Sequence, residues 1–236
     1  MKFLKTPLVI LAALSLSACD EGGFCMEGEG DVESRTLDLG RIEGIEVQGN
    51  TRVFVRKGDR QHVEVKGQQN VLDELETNVD GEVWEIGFNR CMRNHETVEV
   101  YLTVPELNLA KVSGSGYIEL QDRFRTREFD VAVSGSGDIK GRVDTEILTS
   151  RISGSGMIEL AGAAKEQDVH ISGSGRHYAY DMRSRRADIN ISGSGKAQVH
   201  ATDQLDANIS GSGRVFYKGN PDTNLDVSGS GKVTKE

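Results

Sequence analysis

The sequence predicts an all-β protein: a single-chain parallel β-helix, or β-solenoid, with about 20 residues per coil and an irregular N-terminal cap. Three observations carry this. The tetrapeptide Ser-Gly-Ser-Gly occurs seven times, beginning at Ser113, Ser134, Ser153, Ser172, Ser192, Ser210 and Ser228. The steps between copies are nearly even, and such a period means one short supersecondary unit stacked on copies of itself. Around each copy the chain alternates, as in Phe129, Val131, Val133 before it and Ile118, Leu120 after it, which is the mark of a strand with one buried face. Finally, no long run shows the 3.6-residue period of a helix. The right-handed crossover preference sets the expected hand of the coil.

Residues 1–18 read as a lipoprotein signal peptide. Lys2 and Lys5 form a positive start, and Leu8 to Leu16 form an apolar run too short to span a bilayer. Leu16-Ser17-Ala18-Cys19 then matches a lipobox, so Cys19 is the expected site of lipidation and the membrane the first expected partner. Residues 19–30, acylated Cys19 and then a Gly-rich acidic stretch, read as a flexible tether. This places the protein in the bacterial cell envelope, lipid-anchored on the periplasmic side or the cell surface. Without residues 1–18 the chain carries 26 basic against 37 acidic residues, a net charge of −11, which speaks against nucleic acid as a partner. Cys25 and Cys91 are expected to form a disulfide because such a compartment is oxidising.

Residues 31–104 form an N-terminal β region. Ile45, Val47, Gly49, Val53 and Val55 keep the cadence of the later repeats, with Gln48-Gly49-Asn50-Thr51 in place of the tetrapeptide. Val63, Val65 and Gly67 follow at close to the same interval and read as another degenerate coil. Asp80-Gly81 reads as a hairpin turn, Asn70 to Glu76 as a helical turn, and Val98 to Val104 as a strand ended by Pro105. Residues 105–236 form the regular solenoid. Parity through each tetrapeptide predicts both Gly inward and both Ser outward, making each copy a narrow corner whose serines stack into hydroxyl ladders.

Gly28-Glu29-Gly30, Arg35, Ile45-Glu46-Val47, Gly49, Val63, Val65, Gly67 and Asn70-Val71-Leu72, followed by repeated Val-Ser-Gly-Ser-Gly, resemble the putative auto-transporter adhesin, head-GIN-domain family. The resemblance covers roughly residues 30–236. It implies a β-solenoid in the bacterial envelope and transfers no functional residue. Cys25 and Cys91 lie outside the family pattern, so their pairing rests on the compartment alone.

Chemistry is sparse. A Gly-x-Ser-x-Gly elbow is missing, and seven identical serines indicate a structural role. His62, His95, His170, His177 and His200 show no metal-ligand spacing, and nothing calls for a cofactor or metal. Arg183-Ser184-Arg185-Arg186 is the only contiguous basic cluster; with Tyr178 it is the candidate site for an anionic glycan or phosphate. Glu119, Lys140 and Glu159 occupy equivalent positions in successive coils and form either an ion-pair ladder or the acid–base row of a polysaccharide-acting enzyme. The favoured expectation is a non-enzymatic binding or structural scaffold with an envelope protein or glycan as partner. A polysaccharide-acting β-helix enzyme is the alternative. Self-association through the C-terminal coil is also expected, because Val227 and Val233 precede no evident cap.

Overall fold

The computed structural model describes residues 25–236. Cys19 and the signal and lipidation features therefore lie outside the described residues. The protein is a β-solenoid of about 7 turns with ~19 residues per turn, 70% strand and 2% helix. The strands from Leu109–Gly114 onward stack in parallel, each in register with its equivalent one coil away.

Register puts like residues on like residues. Val112, Val133, Ile152, Ile171, Ile191 and Ile209 form one interior row, and Ile118, Ile139, Ile158, His177, Ala197 and Val215 another; all are buried. Each row is continuous along the stack, so every coil buries its neighbour's apolar surface and none is stable alone. The polar intruders Ser150, Gln167, His177 and Ser184 fall within adjoining coils. Ser150 Oγ lies 3.0 Å from His177 Nδ1, while His177 Nε2 has no partner.

The corners modify the parity expectation. The second glycine of each tetrapeptide does face the interior: a Cβ on Gly137 would stand 2.5 Å from the Gly116 carbonyl oxygen of the coil beneath. The first glycine instead leaves the strand, with φ between +109° and +126° in all seven copies. That region is open to glycine and costly for other residues. Alternation therefore breaks at the first Gly, the chain turns, and the corners stack backbone on backbone.

The N-terminal part joins the stack out of chain order. Gly44–Gly49 lies parallel to Leu109–Gly114 and pairs Val47 with Val112 and Gly49 with Gly114, as the shared cadence predicts. On its other side lie Val83–Ile86 and, for the companion strand Arg52–Lys57, Glu99–Val104. The coil that comes first in sequence is thus second in space. His62–Gln68 is not the degenerate coil expected. It runs antiparallel to Glu99–Val104 and to Val32–Leu37, so it closes the end of the stack. Hydrophobic cadence sets the buried face of a strand but not its direction. The helical turn Gln69–Leu72 and the hairpin joining Val79–Asp80 to Val83–Ile86 complete the cap.

Cys25 and Cys91 are joined by a disulfide, with Cα atoms 4.6 Å apart. Met26–Glu27 pairs with Met92–Arg93, and Asn70 Nδ2 donates to the Glu27 carbonyl at 2.7 Å. Gln68 Nε2 donates to the Gly30 carbonyl at 3.1 Å. Residues 25–30 are therefore fastened to the cap by main-chain and side-chain bonds that composition does not reveal, and the tether reading does not extend to them.

Candidate functional site

Each corner separates two strand faces, and outward side chains repeat on both as ladders. Before the corner, Lys111, Ala132, Arg151, His170, Asn190, Asn208 and Asp226 form one outward row, and the first serines of the tetrapeptides form the next. Between these rows runs a groove of about 710 Å³ that crosses the coils from Lys111 to Ser228. Small serines make one wall low, and the alternation of the strand keeps the floor free of projecting side chains. Polar groups on the taller wall turn toward an acidic row beside it: Arg151 pairs with Asp130 at 2.8 Å and His170 with Asp168 at 3.0 Å. Burial, then the neighbouring Asp168 and Asp206 carboxylates, raise the Asp188 carboxyl above its ordinary value, while a hydrogen bond from Asn190 opposes the shift.

After the corner, strand bulges near Glu119 and Glu159 interrupt the register and open a cleft of about 650 Å³. Glu119, Lys140, Glu159, Tyr178, Tyr180 and Gln198 line it. Lys140 pairs with Glu159 at 3.3 Å, and the Tyr117 hydroxyl donates to Glu119 at 3.1 Å. Burial, with the hydrogen bond to Glu119 as the next cause, pushes the Tyr117 phenol up to about 12. Of the ion-pair ladder expected along Glu119, Lys140 and Glu159, one rung forms, Lys140 with Glu159; Glu119 accepts from the Tyr117 phenol instead.

The predicted arginine site does not assemble. Between Ala179 and Arg183 a bulge displaces the register, and the basic cluster lies beyond it. Tyr178 stays in the cleft, whereas Arg185 and Arg186 line a separate depression of about 360 Å³ with Asp203 and Asp222. There Arg185 pairs with Asp203 at 2.8 Å and Arg186 approaches Glu166 at 4.0 Å. Arg183 is exposed and stands in register with His200. Adjacency in sequence thus gave no shared pocket with Tyr178, and two of the three guanidinium groups face carboxylates.

A different basic feature escaped the sequence reading. The residue directly after each tetrapeptide forms the row Tyr117, Asp138, Met157, Arg176, Lys196, Arg214 and Lys232. Its last four members are all cations, one per coil. A whole coil of chain separates each from the next, so no local basic run announces them. Aligning the seven repeats and reading down that single column would have shown them.

The family described as putative auto-transporter adhesin, head GIN domain, matches residues 41–221. The chain belongs to this family. A crystal structure from Bacteroides fragilis NCTC 9343, described as a putative adhesin, has the same fold: TM-score 0.84 at 20% identity, over 89% of this chain and all (100%) of the other. One from Parabacteroides merdae ATCC 43184, also described as a putative adhesin, gives 0.75 at 24% identity, over 89% and 98% of the two chains. A structure from Parabacteroides distasonis ATCC 8503, described as a putative lipid binding protein, gives 0.74 at 26% identity, over 89% and 99%. No curated protein matches the chain in sequence. The family's description fits a non-enzymatic binding role and a place in the envelope or at the surface.

Proposed function

We propose that the protein is a lipid-anchored, non-enzymatic scaffold of the bacterial envelope, held to a membrane through acyl chains on Cys19. Its rigid ladder faces present a binding surface to an envelope protein or glycan. The observation that carries this reading is the straight groove of about 710 Å³ along the stack, built on strands whose interior rows are fully packed. A surface of this kind needs no rearrangement to bind, which lowers the ordering cost of association. The pairing of Lys140 with Glu159 and of Tyr117 with Glu119 supports the scaffold over an acid–base pair poised for hydrolysis.

The test has two arms. Metabolic labelling with a palmitate analogue is expected to mark the wild type and not a Cys19→Ser variant, which should also leave the membrane fraction. A photo-crosslinking residue at Asn190, in the groove wall, is expected to give adducts in intact cells. Labelling that ignores Cys19, or crosslinking that yields no adduct from any face of the solenoid, would overturn the reading. Release of new polysaccharide ends by the purified protein would favour the enzyme.

A further inference from the structure

We infer that the row Arg176, Lys196, Arg214 and Lys232 is a binding site for a linear acidic glycan, one that carries a carboxylate or sulfate on successive sugars. The inference rests on the scaffold reading and names the partner's chemistry.

Five charged pairs join adjacent coils: Asp130 with Arg151, Asp144 with Arg123, Glu146 with Lys165, Lys140 with Glu159, Asp203 with Arg185. Like charges also stack, Asp168 on Asp188 on Asp206 among them, where Asp168 faces His170 and Asp188 accepts from Asn190. In this row four cations stack directly on one another in register. Neighbouring strands lie about 4.8 Å apart, so the line of charge is about 14 Å long. Like charges directly opposite on paired strands are destabilising. Among the described residues none of the four has an acidic oxygen within 4.0 Å, in a protein that carries 37 acidic residues. The same column holds Tyr117, Asp138 and Met157 in the preceding coils, so the fold itself does not require a cation there.

Aromatic rings stand beside the line. Tyr178 and Phe216 are two residues beyond Arg176 and Arg214, which puts them on the same outward face. The Lys196 ammonium lies 5.4 Å from the Tyr178 ring centroid and 4.9 Å from that of Phe216. Lys218 lies 4.4 Å from the Tyr180 ring. Contacts of this kind hold a cation in place without neutralising it. The carboxylates bordering the strip include Glu159, taken by Lys140, and Glu236, which accepts from the Tyr180 hydroxyl at 2.7 Å; Asp181 lines the same cleft.

Charge and shape together select the ligand. A single file of cations flanked by aromatic faces suits an extended chain of acidic sugars, whose anionic groups meet the file and whose apolar ring faces meet Tyr178 and Phe216. Net charge disfavours every polyanion alike, so the aromatic faces select the sugar, and DNA and vesicles are competing outcomes of the test.

The test is isothermal titration of the full-length protein with polygalacturonate, heparin, neutral dextran, single-stranded DNA and phosphatidylglycerol vesicles. Polygalacturonate or heparin is expected to bind, more weakly as salt rises, and dextran is not. Changing Arg176, Lys196, Arg214 and Lys232 together to Gln is expected to lower that affinity about tenfold or more. Arg123→Gln, which alters a matched pair outside both the groove and the cation row, should leave it unchanged. Thermal melting keeps the result interpretable: the four-fold variant should be at least as stable as the wild type, because it removes repulsion. Unchanged affinity in that variant, equal binding of dextran, or tighter binding of DNA or vesicles would overturn the inference. Failure here with crosslinks from Asn190 intact would retire the glycan and leave the scaffold standing.

Discussion

The two ends of the solenoid solve the same problem differently. At the N-terminal end, His62–Gln68 runs antiparallel to the stack and carries Val32–Leu37 on its far side, and Trp84, fully buried, donates its indole N–H to the Glu76 carbonyl of the cap. The disulfide and residues 25–30 lock this cap in place. At the other end, Asp222–Gly229 and Lys232–Lys235 pair with a neighbour on one side, and Leu225 and Val227 are 44% and 40% exposed. A change of strand direction ends parallel growth at the first end; nothing among the described residues ends it at the second. One column of surface charge follows the same division: the position after each tetrapeptide holds Tyr117, Asp138 and Met157 in the early coils and cations in the last four. Among the described residues the solenoid is thus capped at one end and leaves its last strands paired on one side only at the other.

Paired truncations of the two ends give the largest expected effect. Trp84→Ala should cost about 3–5 kcal/mol in denaturant melts, the usual range for emptying a buried aromatic site. Leu225→Ala should stay within about 0.5 kcal/mol, as exposed positions do. A comparable loss at Leu225 would mean that this end is covered in solution. Cys91→Ser should remove up to about 4 kcal/mol, from a closed loop spanning a sequence separation of 66. Hydrogen exchange should show the loss confined to the cap, and exchange that quickens equally in the last coils would erase the distinction between the ends.

A smaller effect sits between them, at His177. Burial pushes its imidazole down to about 4 from an ordinary 6.5. Below about pH 6.5 the unfolded chain takes up a proton that the folded chain refuses, so stability should fall as pH drops and level off near pH 4, about 3 kcal/mol in all. His177→Leu should flatten that slope in melts across the window; a slope that survives would assign it to carboxylates instead. The smallest expected energy concerns the open edge. If it pairs with a second copy, as the sequence leads one to expect, light scattering should rise with concentration and Val227→Lys should return the protein to a monomer. A wild type that stays monomeric at high concentration removes that partner.

Much of the fold was legible because the repeat is strict. Ser-Gly-Ser-Gly marked one corner of each regular coil, and the cadence of Ile45, Val47 and Gly49 revealed an early coil that the structure pairs with Leu109–Gly114. The candidate site was far less legible. Arg183, Arg185 and Arg186 drew notice as neighbours in the chain, yet a bulge separates them from Tyr178, and Asp203 and Glu166 engage two of them. The cations that do line up lie one coil apart, where a linear scan does not place them together.

By itself the sequence determined what each coil repeats: an even period, a buried face fixed by alternation, and a glycine-marked corner. The tertiary structure decided the direction and order of strands in the cap, which apolar cadence leaves degenerate. It also decided which charges meet, because in a parallel stack each side chain's nearest neighbours belong to the next coil, and a bulge re-aims the residues just beyond it.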